Sequence, residues 1–185
     1  MIGIPGSGKT HFAQQWLAEH QQYIYISPDQ IRAQLYGDPI IQGEWKVIQQ
    51  RVKAEFEDAI SQGRPVLYDA TNIRRQWRQD FLRAFKPEGV HWMAWVFPTP
   101  VKVCIERNQQ RERQVPIDVI IHYAQLLNQF PPAAAEGFIA VQEIPVQADG
   151  TIDLAQVNQY IQRSASKIRG KKSPPSSDGQ FYCFW

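Results

Sequence analysis

Apolar and amphipathic segments alternate along the chain, and their periods predict strands and helices in turn. YIYIS and PVLY are short apolar stretches typical of strands, whereas HFAQQWLAEH carries its apolar residues at helical spacing. Strands that alternate with helices predict a parallel sheet with helices on both faces, so we expect a three-layer α/β fold. The predicted helices cover approximately residues 9–20, 28–36, 44–63, 75–85, 100–111, 116–129 and 153–163, and the predicted strands cover 23–27, 65–68, 90–97 and 137–146.

The composition fits a single domain. With 185 residues, 43% of them hydrophobic and 21% charged, the chain can bury a sizeable core, but we expect no second catalytic domain. We assign 1–166 to this domain and predict that 167–185, rich in Ser, Pro, Lys and Gly, is a tail that is disordered up to its aromatic end, FYCFW, which could pack locally. The formal net charge of +2 neither supports nor excludes a nucleic-acid partner.

Cysteine usage and hydropathy bear on the location of the protein. Cys104 and Cys183 match no metal-ligand or CxxC spacing, which suits a reduced, intracellular protein better than a disulfide framework. No apolar run approaches the roughly 20 residues of a membrane helix, and no basic and then apolar leader opens the chain. We therefore expect a cytoplasmic protein without a membrane partner, and the oligomeric state stays open.

The stretch GIPGSGKT fits the phosphate-binding pattern G-x-x-x-x-G-K-[ST]. Glycines let the backbone curl around phosphate oxygens, and the helix that follows presents its positive dipole end to the same anion. Lysine in this pattern reaches the β- and γ-phosphates, and the threonine hydroxyl is a ligand of Mg²⁺. The alternative is a glycine-rich turn with an incidental lysine. The predicted ATP-binding residues are Gly3, Ile4, Pro5, Gly6, Ser7, Gly8, Lys9 and Thr10.

The position of this loop raises a structural question. Such a loop normally follows a central strand of about five residues, but only Met1 and Ile2 precede Gly3. We expect either that the true start lies upstream or that the first strand is truncated, which would weaken the anchor of the loop.

The segment ISPDQIR places an acid and an arginine just after the YIYIS strand. Asp29 and Arg32 are three residues apart, so their side chains share one face of a helix. Ligands of open parallel sheets bind at the carboxyl ends of the strands, where Asp29 could act as general base and Arg32 could hold a substrate phosphate. The structural alternative is a capping box of Ser27 and Gln30, with Pro28 at the first helical position.

A second acid follows a strand in VLYDATN. An apolar strand that ends in an acid is typical of the second Mg²⁺-side element of P-loop proteins, so Asp69 is a candidate for the metal site. Thr71 and Asn72 would then shape the acceptor pocket. The structural alternative is a strand that ends in a cap for the next helix.

Two groups of arginines could contact anionic groups. Arg74, Arg75 and Arg78 lie at the start of a predicted helix near the same crevice, where Arg74 and Arg75 are candidates for substrate binding; most such arginines are solvated surface. Arg111 and Arg113 lie in RERQVP, between two predicted helices, where a mobile lid could bring an arginine over the transferred phosphoryl group. The alternative for these two is an arginine-rich helix end that interacts with the helix dipole.

Together, these motifs resemble those of the P-loop polynucleotide 5′-hydroxyl kinases. The resemblance rests on the order of GIPGSGKT, ISPDQIR, YDATNIRRQWR, ERNQQRERQVPIDV and FPPAAAEGFIAVQEIPV, and it covers about Gly3 to Val146. It implies a three-layer P-loop kinase fold with a helical lid at about 107–117, and the use of ATP and Mg²⁺. The roles that it implies are Lys9 and Thr10 at the ATP phosphates and Mg²⁺, Asp29 as general base, Arg32 on the acceptor phosphate, and Arg111 or Arg113 as the lid arginine.

Three hypotheses differ in what accepts the phosphoryl group. The complete motif set favours the 5′-hydroxyl end of RNA or DNA. In the second hypothesis the acceptor is a small phosphorylated metabolite or a nucleoside, because the P-loop and DATN also resemble small-molecule kinases such as 6-phosphofructo-2-kinase. In addition, no obvious aromatic platform or long basic track marks a surface that binds a nucleic-acid strand. The third is a nucleotide-binding ATPase without a hydroxyl acceptor, for which the sequence offers no clear water-positioning residue. The sequence leaves open the preference between RNA and DNA as acceptor and between ATP and GTP as donor.

Overall fold

The computed structural model describes residues 1–38, 40–85, 87–147, 149, 151–159 and 181–184. The helices in this part of the chain are α1 (Lys9–Glu19), α2 (Pro28–Tyr36), α3 (Trp45–Ser61), α4 (Arg75–Ala84), α5 (Val101–Gln109) and α6 (Ile117–Gln129), with a 3-10 turn at Ala134–Glu136 and helical residues at 154–159. The strands are β1 (Ile24–Ile26), β2 (Val66–Tyr68), β3 (Val90–Val96), β4 (Ala140–Glu143) and β5 (Phe181–Phe184).

The described strands form one sheet in the order β1-β2-β5-β3-β4, and every pairing in it is parallel. This arrangement confirms the predicted α/β fold with a parallel sheet. Consecutive parallel strands need helical crossovers, which explains why strands and helices alternate along the sequence. All three residues of β2 are buried, as expected for a strand covered on both faces.

Strand β3 shows how the sequence covers both faces of the sheet. Trp92, Ala94 and Val96 belong to the hydrophobic cluster that also contains buried residues of α2, α3 and α4. The alternate residues, such as Met93 and Trp95, belong to a second cluster with the buried residues of α1. Because side chains of a strand alternate between faces, these two clusters are the two sides of the sheet. The apolar run at 92–96, which follows the partly buried His91, is the pattern that such a strand requires.

The end of the sequence is more ordered than the predicted tail. Residues 181–184, the part of the aromatic end for which local packing was left open, form β5, which lies between β2 and β3. The physical reason is that β2 and β3 present backbone groups to each other at this position, and the backbone of 181–184 pairs with both strands. Residues 160–180 lie outside the described residues, as does the last part of the helix predicted at 153–163.

The first two residues of the chain contact the sheet. Ile2 forms an isolated parallel bridge with Val96, and Met1 and Ile2 are fully buried. Within the described residues, no helix is long and apolar enough to cross a membrane.

Candidate active site

The phosphate-binding loop leaves the sheet after Ile2 and leads into α1. Gly6 and Gly8 have φ angles of 84° and 94°, in the left-handed region that favours glycine. A Cβ atom on Gly6 would lie 2.3 Å from the carbonyl oxygen of Cys104, so this glycine also permits close packing of the loop on α5. The Thr99 hydroxyl donates a 2.9 Å hydrogen bond to the carbonyl oxygen of Ser7 and fixes the loop from the same side.

Lys9 is folded back onto the loop that carries it. Its Nζ atom donates hydrogen bonds of 2.7 Å to the carbonyl oxygen of Gly3 and 3.1 Å to that of Ile4, and it lies 3.3 Å from Ser7 Oγ. Burial lowers the pKa of Lys9 to about 8, the positive charge of Arg111 lowers it further, and the negative charge of Asp69 opposes the shift. The lysine is therefore a buried cation beside a loop built for anions.

The metal candidates meet at the carboxyl end of β2. Thr10 Oγ1 donates a 2.8 Å hydrogen bond to Asp69 Oδ2, which also accepts a 2.8 Å hydrogen bond from the Tyr25 hydroxyl. The backbone N–H of Asp69 donates to the carbonyl oxygen of Ile26, so the neighbouring strand β1 holds this carboxylate in place. Hydroxyl and carboxylate oxygens are the hard ligands that Mg²⁺ prefers, and the pair Thr10 and Asp69 fits that ion.

The Asp29 and Arg32 pair forms as the spacing predicted. Arg32 Nη1 donates a 2.6 Å hydrogen bond to Asp29 Oδ1 on the first turn of α2. The Arg32 side chain is 12% exposed and that of Asp29 is 66% exposed, so the carboxylate is open to solvent above a partly buried arginine. Among the residues that the structure describes, the buried Nε atom of Arg32 has no hydrogen-bond partner. Asp29 is close enough to the P-loop for its charge to raise the pKa of Lys9, against the larger effect of burial.

The alternative interpretation of this turn is partly wrong. Ser27 is the residue that precedes α2 and Pro28 takes the first helical position, as expected, but no side-chain hydrogen bond caps this helix. Within the described residues the predicted capping box of Ser27 and Gln30 is therefore absent, whereas Asp29 in the first turn still fits the alternative of an interaction with the helix dipole.

Residues after Asp69 brace the loop more than they line an open pocket. The carbonyl oxygen of Thr71 accepts a 3.3 Å hydrogen bond from the N–H of Gly3. The buried Asn72 amide donates to the carbonyl oxygen of Met1 at 3.1 Å, and Asn72 itself has a left-handed φ of 52°. These contacts tie the end of β2 to the start of the P-loop.

The three candidate arginines at the start of α4 have different surroundings. Arg78 is fully buried, pairs with Glu136 at 2.7 Å and donates to the carbonyl oxygen of Ile73 at 2.8 Å. It is therefore a structural clamp. Arg74 and Arg75 are exposed at the start of α4, and the Arg74 guanidinium lies 5.1 Å from the centre of the Trp77 ring. None of the contacts that the structure gives for these two exposed arginines, within the described residues, reaches the P-loop.

The predicted lid is a loop between α5 and α6, and the side chain of Asn108 connects the two ends of this loop. Asn108 is buried, donates a 2.8 Å hydrogen bond to the carbonyl oxygen of Val115 and accepts a 2.9 Å hydrogen bond from its N–H. Arg111 and Arg113 lie on the exposed loop between these two residues. Arg111 lies near enough to Lys9 to lower its pKa.

Comparison with known proteins agrees with this geometry. A family model described as an AAA domain, AAA_33, matches residues 1–129. The chain belongs to this family. The structure also resembles a chain of the Pnkp1/Rnl/Hen1 RNA repair complex, with a TM-score of 0.58 and 23% identity over 69% of this chain. This chain spans only 42% of that one. A gluconokinase from Sinorhizobium meliloti 1021 has a TM-score of 0.55 and 18% identity, over 93% of this chain and 95% of its own.

The family match stands on residues 1–129, and the likeness to the two solved structures confirms the predicted α/β fold with its parallel sheet. The AAA_33 match covers the P-loop, the Asp29 turn, Asp69 and the lid loop, which are the segments that carried the sequence prediction. The two solved structures share under 25% identity with the chain and bear on its fold alone.

Two side chains at the site of this AAA_33 protein were missed by the sequence analysis. Tyr25 bonds to Asp69, and burial together with that negative charge raises the pKa of its hydroxyl, so it stays a donor. Arg107 lies over the P-loop, because a Cβ atom on Gly8 would be 3.5 Å from Arg107 Nη1. The arginine-rich pattern contained Arg107 but could not rank it against its neighbours; nothing in the sequence marked Tyr25 beyond its place on a strand.

Proposed function

We propose that the protein is an ATP-dependent kinase that transfers the γ-phosphoryl group to a hydroxyl, the 5′-hydroxyl end of RNA or DNA. The observation that carries the proposal is the Asp29 and Arg32 pair, which joins an exposed carboxylate to a partly buried arginine at the carboxyl end of β1. A P-loop alone serves any nucleotide hydrolase, whereas an acid beside an anion site is what a hydroxyl acceptor with a neighbouring phosphate needs.

On the donor side, the loop residues 3–8 would surround the ATP phosphates and Lys9 would exchange its contacts with Gly3 and Ile4 for phosphate oxygens. Until phosphate binds, the hydrogen bonds of Lys9 to these two carbonyl oxygens hold the loop in its curled conformation. Thr10 and Asp69 would hold Mg²⁺, directly or through its water. When bound, Mg²⁺ neutralises charge on the phosphates and fixes their orientation.

In the transfer step, the Asp29 carboxylate takes the proton of the acceptor hydroxyl. At the same time, the oxygen of that hydroxyl forms a bond to the γ-phosphorus. The bond from that phosphorus to the β–γ bridging oxygen breaks, and ADP leaves with this oxygen. Arg111 or Arg113 of the lid loop would stabilise the charge on the transferred group. Arg107 is a further candidate for this role because it already lies beside Gly8.

On the acceptor side, Arg32 is the candidate for the phosphate next to the reacting hydroxyl. Its buried Nε has no hydrogen-bond partner, and a buried donor of this kind is costly unless a ligand satisfies it. Thr71, Asn72, Arg74 and Arg75 remain candidates for the rest of the acceptor. The exposed Trp77 ring with Arg74 over it supports a nucleic-acid acceptor, because bases stack on such surfaces.

A small molecule, either a phosphorylated metabolite or a nucleoside, is the second candidate acceptor. The support for it is the likeness to the gluconokinase, which extends over 95% of that chain, whereas the likeness to the RNA repair protein covers 42% of that one. The same Asp29 and Arg32 pair would serve such a molecule.

The test is a transfer assay with γ-labelled ATP and three sets of acceptors. The first set holds RNA and DNA oligonucleotides with a 5′-hydroxyl, and their 5′-phosphorylated forms are the matched controls. The second holds gluconate and a panel of sugar phosphates and nucleosides, and the third holds water alone. We expect label on the 5′-hydroxyl oligonucleotides only. Label on a metabolite alone would favour the second candidate, and release of phosphate without any acceptor would show an ATPase.

A further inference from the structure

Strand β5 lies in the middle of the sheet, directly in line with the P-loop. Its residues pair in parallel with β3, from Phe181 opposite Val90 to Phe184 opposite Met93. Phe184 also pairs in parallel with Leu67 of β2. Cys183 is fully buried and belongs to the same cluster as Ile2 and Trp92.

The first two residues of the chain occupy the same column of the sheet. The N–H of Ile2 donates to the carbonyl oxygen of Trp95 at 2.7 Å, and the carbonyl oxygen of Ile2 accepts from the N–H of Phe97 at 2.8 Å. On the other side, the amino group of Met1 donates to the carbonyl oxygen of Tyr68 at 2.7 Å. The start of the chain thus bonds to β2 and β3, the strands that flank β5.

The register of the two segments is continuous. Phe184 lies opposite Met93 and Ile2 lies opposite Val96. Two positions of β3, Ala94 and Trp95, separate these partners, and two residues, numbers 185 and 1, separate Phe184 from Ile2 when the sequence is read from its end into its start. The number of residues between Phe184 and Ile2 therefore equals the number of β3 positions between their partners.

We propose that β5 supplies the central strand that anchors the phosphate-binding loop, so that the nucleotide site is complete only when β5 is docked between β2 and β3. Met1 and Ile2 alone give the loop a single bridge to the sheet. The residues of β5, 181–184, come before Met1 and Ile2 in the same column of the sheet. Their pairing holds β2 and β3 at the spacing that the loop requires. Without β5, the facing backbone groups of β2 and β3 would lose their partners in the centre of the sheet.

The first test compares two proline substitutions in the full chain. Cys183→Pro removes a backbone donor from the middle of β5, where a central strand does not tolerate proline. Ser177→Pro is the control, because it adds a proline within the PPSS stretch, which lies outside the strand in the sequence. We expect ATP or ADP, measured by calorimetry, to bind Cys183→Pro at least about tenfold more weakly and Ser177→Pro as the parent chain. Unchanged affinity in Cys183→Pro overturns the proposal.

The second test stays informative if Cys183→Pro fails to fold. A circular permutant joins residue 185 directly to residue 1 and opens the chain between Ser176 and Ser177. A matched permutant carries one extra glycine at the junction, which would shift the alternation of side chains. We expect the direct junction to fold and bind nucleotide at least as tightly as the parent, and the glycine junction to bind at least about fivefold more weakly. Equal affinity of both permutants, or no binding by the direct one, overturns the proposal.

Both tests measure nucleotide binding and not phosphoryl transfer. Their outcome is therefore independent of which acceptor the protein uses, and of whether it is a kinase or an ATPase.

Discussion

The Thr10 hydroxyl donates a 2.8 Å hydrogen bond to Asp69 Oδ2 and so connects the helix after the P-loop to the end of strand β2. The two residues are 59 positions apart in the sequence, and the parallel sheet brings them to the same edge. Tyr25 approaches the same carboxylate oxygen from β1. The carboxylate therefore has a fixed orientation before any ligand binds, and a preformed oxygen site of this kind suits Mg²⁺.

Asp69→Asn tests this arrangement. The amide keeps the shape of the side chain but removes the negative charge, so we expect the Mg²⁺-dependent gain in ATP affinity to fall roughly 10- to 100-fold. The measurement is ATP binding titrated with Mg²⁺. Asp58→Asn, on the exposed face of α3, is the control and should leave the Mg²⁺ dependence unchanged. An Asp69→Asn protein with the Mg²⁺ response of the parent would contradict the metal assignment.

Alanine substitutions at two glycines with similar φ angles distinguish the cost of backbone strain from the cost of a steric clash. Gly6 and Gly37 have φ angles of 84° and 77°, but a Cβ atom on Gly6 meets Cys104 at 2.3 Å, whereas one on Gly37 meets nothing within 4 Å. We expect Gly37→Ala to lower the free energy of unfolding by about 1 kcal/mol, from backbone strain alone. Gly6→Ala should lower it by more than about 3 kcal/mol, measured by urea denaturation. Equal losses would show that the loop does not pack on α5 as described.

Lys9→Met should raise stability while it abolishes turnover. Burial lowers the pKa of Lys9 from 10.5 to about 8, so the unfolded chain binds this proton more tightly and the charge opposes folding at pH 7. The shift corresponds to about 3 kcal/mol, from which the lost hydrogen bonds subtract, and we expect the melting temperature to rise by a few degrees. Lys53→Met, at an exposed ion pair, is the control and should change it little. A lower melting temperature in Lys9→Met would contradict this.

The buried amino group of Met1 gives the 185-residue chain a characteristic pH dependence. Burial lowers its pKa from 8.0 to about 4; the charge of Asp69 opposes the shift and that of Lys9 adds to it. Between these two pKa values the unfolded chain binds the additional proton, so stability falls as the pH is lowered from 8 towards 4, by at most about 1.4 kcal/mol per pH unit. The permutant with a peptide bond at Met1 should lose this component. Parallel stability curves for parent and permutant would contradict it.

The sequence predicted those parts of the structure in which local pattern and fold agree. The alternation of faces in β3 and the spacing of Asp29 and Arg32 follow from strand and helix periods, and both were confirmed. Placing Asp69 near Thr10 needed only the rule that ligands bind at the carboxyl ends of parallel strands.

Other features could not be predicted because they exist only in the folded sheet. The FYCF segment follows a polar, proline-containing stretch that is typical of disorder, and its pairing depends on the slot between β2 and β3. For the same reason, no periodicity shows that Arg78 is the buried arginine of α4 while Arg74 and Arg75 are exposed. Its partner Glu136 is 58 residues away in the sequence.

The position of β5 also sharpens the expectation about the start of the chain. A segment upstream of Met1 that continued the first strand would have to take the place that β5 occupies between β2 and β3. An N-terminal extension should therefore compete with β5, and protection of the buried Cys183 thiol from alkylation reports which segment is docked. Unchanged Cys183 protection together with higher ATP affinity in the extended protein would contradict this competition.

The most direct test of the proposed kinase activity is label transfer from γ-labelled ATP to a 5′-hydroxyl oligonucleotide by three proteins in one assay. These are the parent, Asp29→Asn, and Asp80→Asn, which alters the equivalent exposed Asp and Arg pair of α4. We predict equal transfer by the parent and Asp80→Asn, and transfer slower by about 10² or more in Asp29→Asn with ATP binding retained. Transfer by Asp29→Asn at the parent rate, or no transfer by the parent to any 5′-hydroxyl end, would contradict the account.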